Sequence, residues 1–133
     1  MPRKWQTVLK HVKPQGQARP RAVSVNGKAR VFKPKKDLGM EALIQVLVVD
    51  RDPPKFDGPI KLTLDFVLKR PKSVPVKKRK YPTVKPDLSN MIKLVEDACN
   101  GILYDDDKQI VNLVSTKRYG GDDEISIKVE KVN

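Results

Sequence analysis

The sequence predicts an α+β fold, on three observations. Ile60, Leu62, Leu64 and Phe66 alternate with Lys61, Thr63 and Asp65, the period of a half-buried strand. Leu88, Met91, Ile92, Val95, Ala98, Cys99 and Ile102 recur at helical spacing. Two further strand patterns, residues 110–119 and 125–132, flank Gly120-Gly121-Asp122-Asp123 and read as an antiparallel hairpin. A chain of 133 residues has room for one core, so residues 1–133 are expected to form a single domain.

In chain order, residues 5–12 alternate well enough for a strand, which Pro14, Gly16 and Pro20 end. Val23-Ser24-Val25 and Ala29-Arg30-Val31-Phe32 flank Asn26-Gly27, a pair suited to the positive φ angles of a tight hairpin turn. Asp37 is a suitable N-cap for a helix over residues 38–49 with Leu38, Ala42, Val46 and Val49 facing inward; its β-branched end leaves a strand as the rival. Pro53-Pro54 and Asp57-Gly58-Pro59 turn the chain into the strand at Ile60. Residues 70–86 hold seven basic residues, four prolines and no acid, and read as an extended, mobile basic loop. Pro86 ends that loop. The helix that follows carries Asn90, Lys93 and Asp97 opposite its apolar face and stops at Asn100-Gly101. Cys99 lies on the apolar face, as a buried inert thiol would.

The chain has 28 Lys and Arg against 16 Asp and Glu, a net charge of +12, unevenly spread. Residues 1–36 carry 11 basic side chains and no acid, residues 37–86 carry 11 and 6, and residues 87–133 carry 6 and 10, giving segment charges of +11, +5 and −4. A basic surface for a polyanion and a separate acidic region for a cation follow; the plainer alternative is a nucleic-acid binder with a solvated acidic face. The longest apolar stretch, residues 42–49, is far short of the roughly 20 residues of a spanning helix. The N-terminus lacks a secretory h-region, so the chain is expected in the cytoplasm. One cysteine and one histidine, His11, exclude a structural zinc site, and the strand-like setting of His11 argues against a Ser-His-Asp or Cys-His system.

Two acidic groups flank the helix that follows Pro86: Asp87 opens it, and Asp105-Asp106-Asp107 follows it. Phosphodiester hydrolysis commonly uses hard oxygen ligands for Mg²⁺, and a lysine such as Lys93 offsets charge on the phosphoryl group. Taken singly, Asp87 also reads as a helix cap and the triple Asp as a solvated turn.

Lys85-Pro86-Asp87-Leu88-Ser89-Asn90-Met91-Ile92-Lys93, Glu96-Asp97-Ala98-Cys99-Asn100-Gly101 and Tyr104-Asp105-Asp106-Asp107-Lys108-Gln109-Ile110 closely resemble the RusA family of Holliday-junction resolvases. Arg19-Pro20-Arg21, the segment Val31-Phe32-Lys33-Pro34-Lys35-Lys36 and Arg70-Pro71-Lys72-Ser73 extend the resemblance over nearly the whole chain. It implies a small mixed or antiparallel sheet with two helices packed on it, a homodimer, and a Mg²⁺-dependent endonuclease (Mn²⁺ substituting) that resolves branched DNA by paired nicks in recombination and repair. By position, Asp87 and Asp107 match metal-binding catalytic aspartates, Asp106 the first residue of the Asp-Asp pair, and Lys93 the catalytic lysine. Ser89 stands where the family has a further aspartate. A neutral hydroxyl is a weak Mg²⁺ ligand, so Ser89 marks a tolerated variant with altered activity, a binding-only relative or an engineered knock-out.

On this reading Arg19, Arg21, Lys33, Lys35, Lys36, Arg70, Lys72, Lys77, Lys78, Arg79, Lys80 and Lys85 hold DNA phosphates, and Phe32 and Tyr81 are candidates for stacking on unpaired bases. Two alternatives stay open: a catalytically impaired branched-DNA binder, and a basic RNA-binding module whose aspartates form only a surface turn.

Overall fold

A computed structural model describes residues 2–16, 21–25, 28–32 and 35–133, with side chains for 2–16 and 39–133. The elements in order are β1 (Lys4–Lys10), β2 (Arg21–Val25), β3 (Lys28–Phe32), α1 (Lys35–Val49), β4 (Ile60–Lys69), α2 (Leu88–Cys99), a 3₁₀ turn (Asp107–Gln109), β5 (Ile110–Gly120) and β6 (Glu124–Lys131). This is the expected α+β arrangement of a mixed sheet with two helices.

β4 occupies the interior of the four-stranded sheet, whose order is β1-β6-β4-β5. Its residues Ile60, Leu62, Leu64, Phe66 and Leu68 are buried, and the even positions pair with Ile125, Ile127 and Val129 of β6 to make one apolar face. Leu9 of β1 extends that face, and Ile44 and Val48 of α1 with Met91, Leu94, Val95, Ala98 and Cys99 of α2 cover it. The opposite face presents Lys61, Thr63 and Asp65, and there Asp65 accepts from Thr116 Oγ1 at 2.6 Å and from Arg118 at 3.0 and 3.1 Å.

The expected hairpin between residues 110–119 and 125–132 does not form. β5 pairs in parallel with β4, and β6 pairs antiparallel with β4 and with β1, so β4 lies between the two strands. An interior strand needs hydrogen-bonding partners on both edges, and β4, the most apolar strand, takes both. The parallel pair requires a crossover, which residues 70–109 supply through α2. Residues 120–123 then pass the end of β4, where Lys69 N–H donates to Asp123 Oδ1 (2.9 Å) and Arg70 N–H to Gly120 O (3.1 Å). A Cβ on Gly120 would collide with Val67 Cγ1, so the passage needs glycine.

Other boundaries shift. The first strand ends at Lys10, and His11 leaves it with φ of 62° instead of continuing to residue 12. Its ring pairs with Asp122 at 2.5 Å, away from the α2 acids. β2 and β3 pair antiparallel across the expected turn, whose residues Asn26 and Gly27 lie outside the described set. α1 is a helix, not a strand, and begins at Lys35, two residues ahead of Asp37. Its inward face is also not the one expected: Ile44 and Val48 are buried and Met40 and Leu47 half-buried, whereas Ala42, Val46 and Val49 are exposed. Leu38 is outside the side chains described. The run is apolar nearly all round, so its sequence gives no preferred direction and packing against α2 selects one.

Candidate functional site

α2 is positioned by its buried stripe, which presses Met91, Leu94, Val95, Ala98 and Cys99 into the core and turns Lys93 outward. The chain reverses after Cys99 and returns through Leu103 and Tyr104, both fully buried. Tyr104 O–H donates to Glu96 O at 2.9 Å, locking the returning chain to the last turns of α2. The acidic turn is thereby carried back along the helix, and Lys93 Nζ lies 3.5 Å from Asp107 Oδ2 and 3.3 Å from Asp97 Oδ1. Of the residues expected in the site, Lys93 and Asp107 are brought into contact.

The pair is electrostatically coupled to its surroundings. The hydrogen bond to Asp97 raises Lys93 above the ordinary lysine value despite partial burial, and the charges of Asp97 and Asp107 add to the effect. Lys93 is therefore a fixed cation at neutral pH. Glu96 is pushed up chiefly by burial and next by the Asp107 charge. Asp106 is held low, first by its hydrogen bond with Asp107 and then by the Lys108 N–H, which donates to Asp106 Oδ1 at 3.1 Å.

The two acids expected at the helix start and at the turn divide their duties in an unexpected way. Asp87 occupies the N-cap position of α2 but makes no side-chain capping bond. Asp106 does cap, closing a capping box over the 3₁₀ turn with Gln109. Asp105 is salt-bridged to Lys55 at 2.6 Å. Ser89 is exposed in the first turn of α2. Among the described residues no group of three or more His, Cys, Asp or Glu is placed to hold a metal ion. The donor chemistry still fits a hard divalent cation: Asp87, Asp106 and Asp107 offer only oxygen, and Mg²⁺ typically takes one or two carboxylates, with waters and substrate phosphates completing its shell.

Beside Asp87 opens a cleft of about 1090 Å³ lined by Lys13, Lys69, Arg70, Lys72, Arg79 and Lys85. The segment before it is drawn against α2: a Cβ on Gly16 would lie 3.1 Å from Asn90 Cβ. Lys13 and Lys69 were not singled out from sequence, where nothing links the end of β1 to the end of β4; the Pro14 that ends the first strand is the one local signal for a turn at Lys13. Residues 70–86 are tied down along their length. Arg70 donates to the carbonyls of Val74, Arg79 and Lys80 at 3.0, 2.5 and 2.9 Å and stacks 4.3 Å from the centre of the Tyr119 ring. Lys117 donates to Val84 O and Pro86 O at 2.8 and 2.9 Å. Arg70 is thus engaged in holding the segment, while Lys72, Lys77, Lys78, Lys80 and Lys85 are exposed. Tyr81 is exposed beside Lys80. Arg19 and Lys33 lie outside the described residues, as do the side chains of Arg21, Phe32, Lys35 and Lys36.

The structure is thus a mixed sheet under two helices, with a basic cleft at the start of α2 and an Asp–Lys pair at its middle. The model of the RusA endodeoxyribonuclease family matches residues 11–130, and the chain belongs to that family. The chain is also 30% identical over 130 residues to an uncharacterized protein, YqaN, of Bacillus subtilis (strain 168), covering 90% of this chain and 92% of that protein. No helix among the described residues is long and apolar enough to cross a membrane.

Proposed function

We propose that the chain is a Mg²⁺-dependent, structure-selective endonuclease that resolves four-way DNA junctions by paired nicks, acting as a homodimer in recombination and repair. The observation that carries this reading is the position of Asp87: an exposed carboxylate, not used for capping, in the wall of a cleft lined by six cations. A solvated helix cap has no need of such a setting; a carboxylate that meets a DNA phosphate through a cation does.

The cleft lysines and Arg79 bind phosphates without reading sequence and set the strand's path past Asp87. Asp87 and Asp107 would hold the divalent ion, with Asp106 and Ser89 beside them. That ion, Mg²⁺ or Mn²⁺, supplies polarisation of the scissile phosphate and acidification of a water when bound. Lys93, charged at neutral pH, is oriented by Asp97 and Asp107 to meet negative charge that develops on the phosphoryl oxygens. It acts as an electrostatic group. The homodimer follows from the substrate: a four-way junction has approximate two-fold symmetry, and two nicks need two matched sites. Leu43, Val46 and Val49 on α1 supply exposed apolar surface for such a contact.

The test compares nicking of a synthetic four-way junction and of linear duplex by native protein and Asp107→Asn in Mg²⁺. Junction-selective nicking that falls about 100-fold or more in the variant is expected. Junction binding with no nicking by native protein would overturn the enzyme reading. It would favour a non-cleaving branched-DNA binder, which the neutral Ser89 and the absence of three gathered acids among the described residues support. A basic RNA-binding module would show neither junction selectivity nor divalent-ion affinity.

A further inference from the structure

Gln109 makes more side-chain hydrogen bonds than its place beside the catalytic acids would suggest. Its Oε1 accepts from Asp105 N–H at 2.8 Å and from Asp106 N–H at 3.2 Å. Its Nε2 donates to Phe56 O and to Gly58 O, both at 3.0 Å. A carboxamide has two donor hydrogens and two acceptor lone pairs, and here all four are used. The two sets of partners belong to different parts of the molecule: the acidic turn, and the segment that leads into the interior strand β4. That segment is itself rigid, because Phe56 is fully buried and its N–H donates to Leu103 O at 2.8 Å. Gly58 adopts φ of 72°, a conformation that presents its carbonyl at little strain only because it is glycine.

We propose that Gln109 is the positioning residue of the acidic turn: by bridging Asp105 and Asp106 to Phe56 and Gly58 it fixes the turn to the sheet and so sets Asp107 beside Lys93. This rests on the reading of Asp107 as a site residue. Gln109 touches neither substrate nor ion and acts through the backbone of its neighbours. The Phe56 N–H bond to Leu103 O holds the chain ahead of the turn and the β4–β5 ladder holds the chain after it, whereas Gln109 is the side chain that ties the Asp105 and Asp106 amides themselves to the segment leading into β4; the Lys55–Asp105 pair is an exposed contact between two flexible side chains. A glutamate at this position would keep the acceptor side and lose both donors, turning its second oxygen on two carbonyls. A methionine of similar length would lose all four bonds.

The experiment uses the full chain with Gln109→Met and Gln109→Glu. Three quantities are read: hydrogen exchange at the Asp105 and Asp106 amides by NMR, Mn²⁺ binding alone by calorimetry, and single-turnover nicking of a four-way junction. For Gln109→Met, the amides of Asp105 and Asp106 lose their protection, and Mn²⁺ affinity and nicking rate each fall roughly 10- to 100-fold. Junction affinity in chelator is unchanged. For Gln109→Glu, the amide protection survives while Mn²⁺ affinity still falls, a split that a general loss of stability would not give. Native-like Mn²⁺ affinity and exchange in Gln109→Met overturn the proposal; should that variant not fold, native-like Mn²⁺ affinity in Gln109→Glu does so. If native protein neither nicks junctions nor binds Mn²⁺, the nuclease reading fails separately, and the exchange at Asp105 and Asp106 still decides whether Gln109 holds the turn.

Discussion

On the proposed nuclease reading, Ser89 is the residue that sets the strength of the site. It sits exposed in the first turn of α2, two positions after Asp87, where the resemblance to the family implies a carboxylate. Restoring the charge with Ser89→Asp should lower the Mg²⁺ concentration needed for half-maximal junction nicking several-fold, because a third carboxylate adds both a hard ligand and a negative charge. A titration of nicking rate against Mg²⁺ measures this; an unchanged midpoint would show that the other acids suffice. Cys99 makes the opposite case, a reactive residue type made inert by its place. Burial pushes its thiol from an ordinary 9.0 up to about 12. The folded state therefore favours the neutral thiol, and the associated stability is present below pH 9 and is lost as pH rises toward 12. Iodoacetamide at pH 8 should leave Cys99 unmodified in native protein and label it fully in denaturant, as read by mass spectrometry.

At the scale of elements, β4 and α2 were legible in the sequence because residues 60–66 of β4 and the whole of α2 are buried chiefly on one face, so period 2 and period 3.6 stand out. α1 was legible as a place for a helix but not in its orientation: Leu43, Val46 and Val49 are as apolar as Ile44 and Val48, and only the neighbouring α2 breaks the tie. The β5–β6 connection was misread for a different reason. Gly120-Gly121 suits a hairpin turn, and nothing in those residues reveals that a third strand competes for the space between. In the site, the Asp87 and Asp107 motifs were visible, but the Lys93–Asp107 contact, the clamp by Gln109 and the inward use of Arg70 depend on how distant segments meet. The exposed stripe of α1 makes a prediction of its own: Val46→Asp should leave the fold intact, since Val46 is 66% exposed, and shift the proposed dimer to monomer in sedimentation velocity, a native protein that is already monomeric overturning the dimer proposal. The anchored basic segment makes another. Arg70→Met removes three hydrogen bonds to carbonyls and the Tyr119 contact, so limited trypsin digestion should cut within residues 71–80 several times faster than in native protein.

For the whole molecule, the +12 charge resolves into a basic cleft at the start of α2 and an acidic turn that meets the same helix at Lys93. If the four cleft lysines and Arg79 each meet a phosphate, junction affinity should fall with a log–log salt slope of about −4.5, and Lys72→Ala should reduce that slope by about 1 without changing the preference for junction over duplex. Fluorescence anisotropy across a salt series measures both. The sheet order has a consequence for how the molecule is made. β1 joins the sheet only through β6, Lys4 lying opposite Glu130 and Lys10 opposite Glu124. β1 thus finds its partner only after every other strand described here has been made, and until then Leu9 is uncovered. Chain closure over so long a separation is slow, and it makes the final strand a keystone: a chain released before β6 is complete loses at once the partner of β1 and one edge of β4.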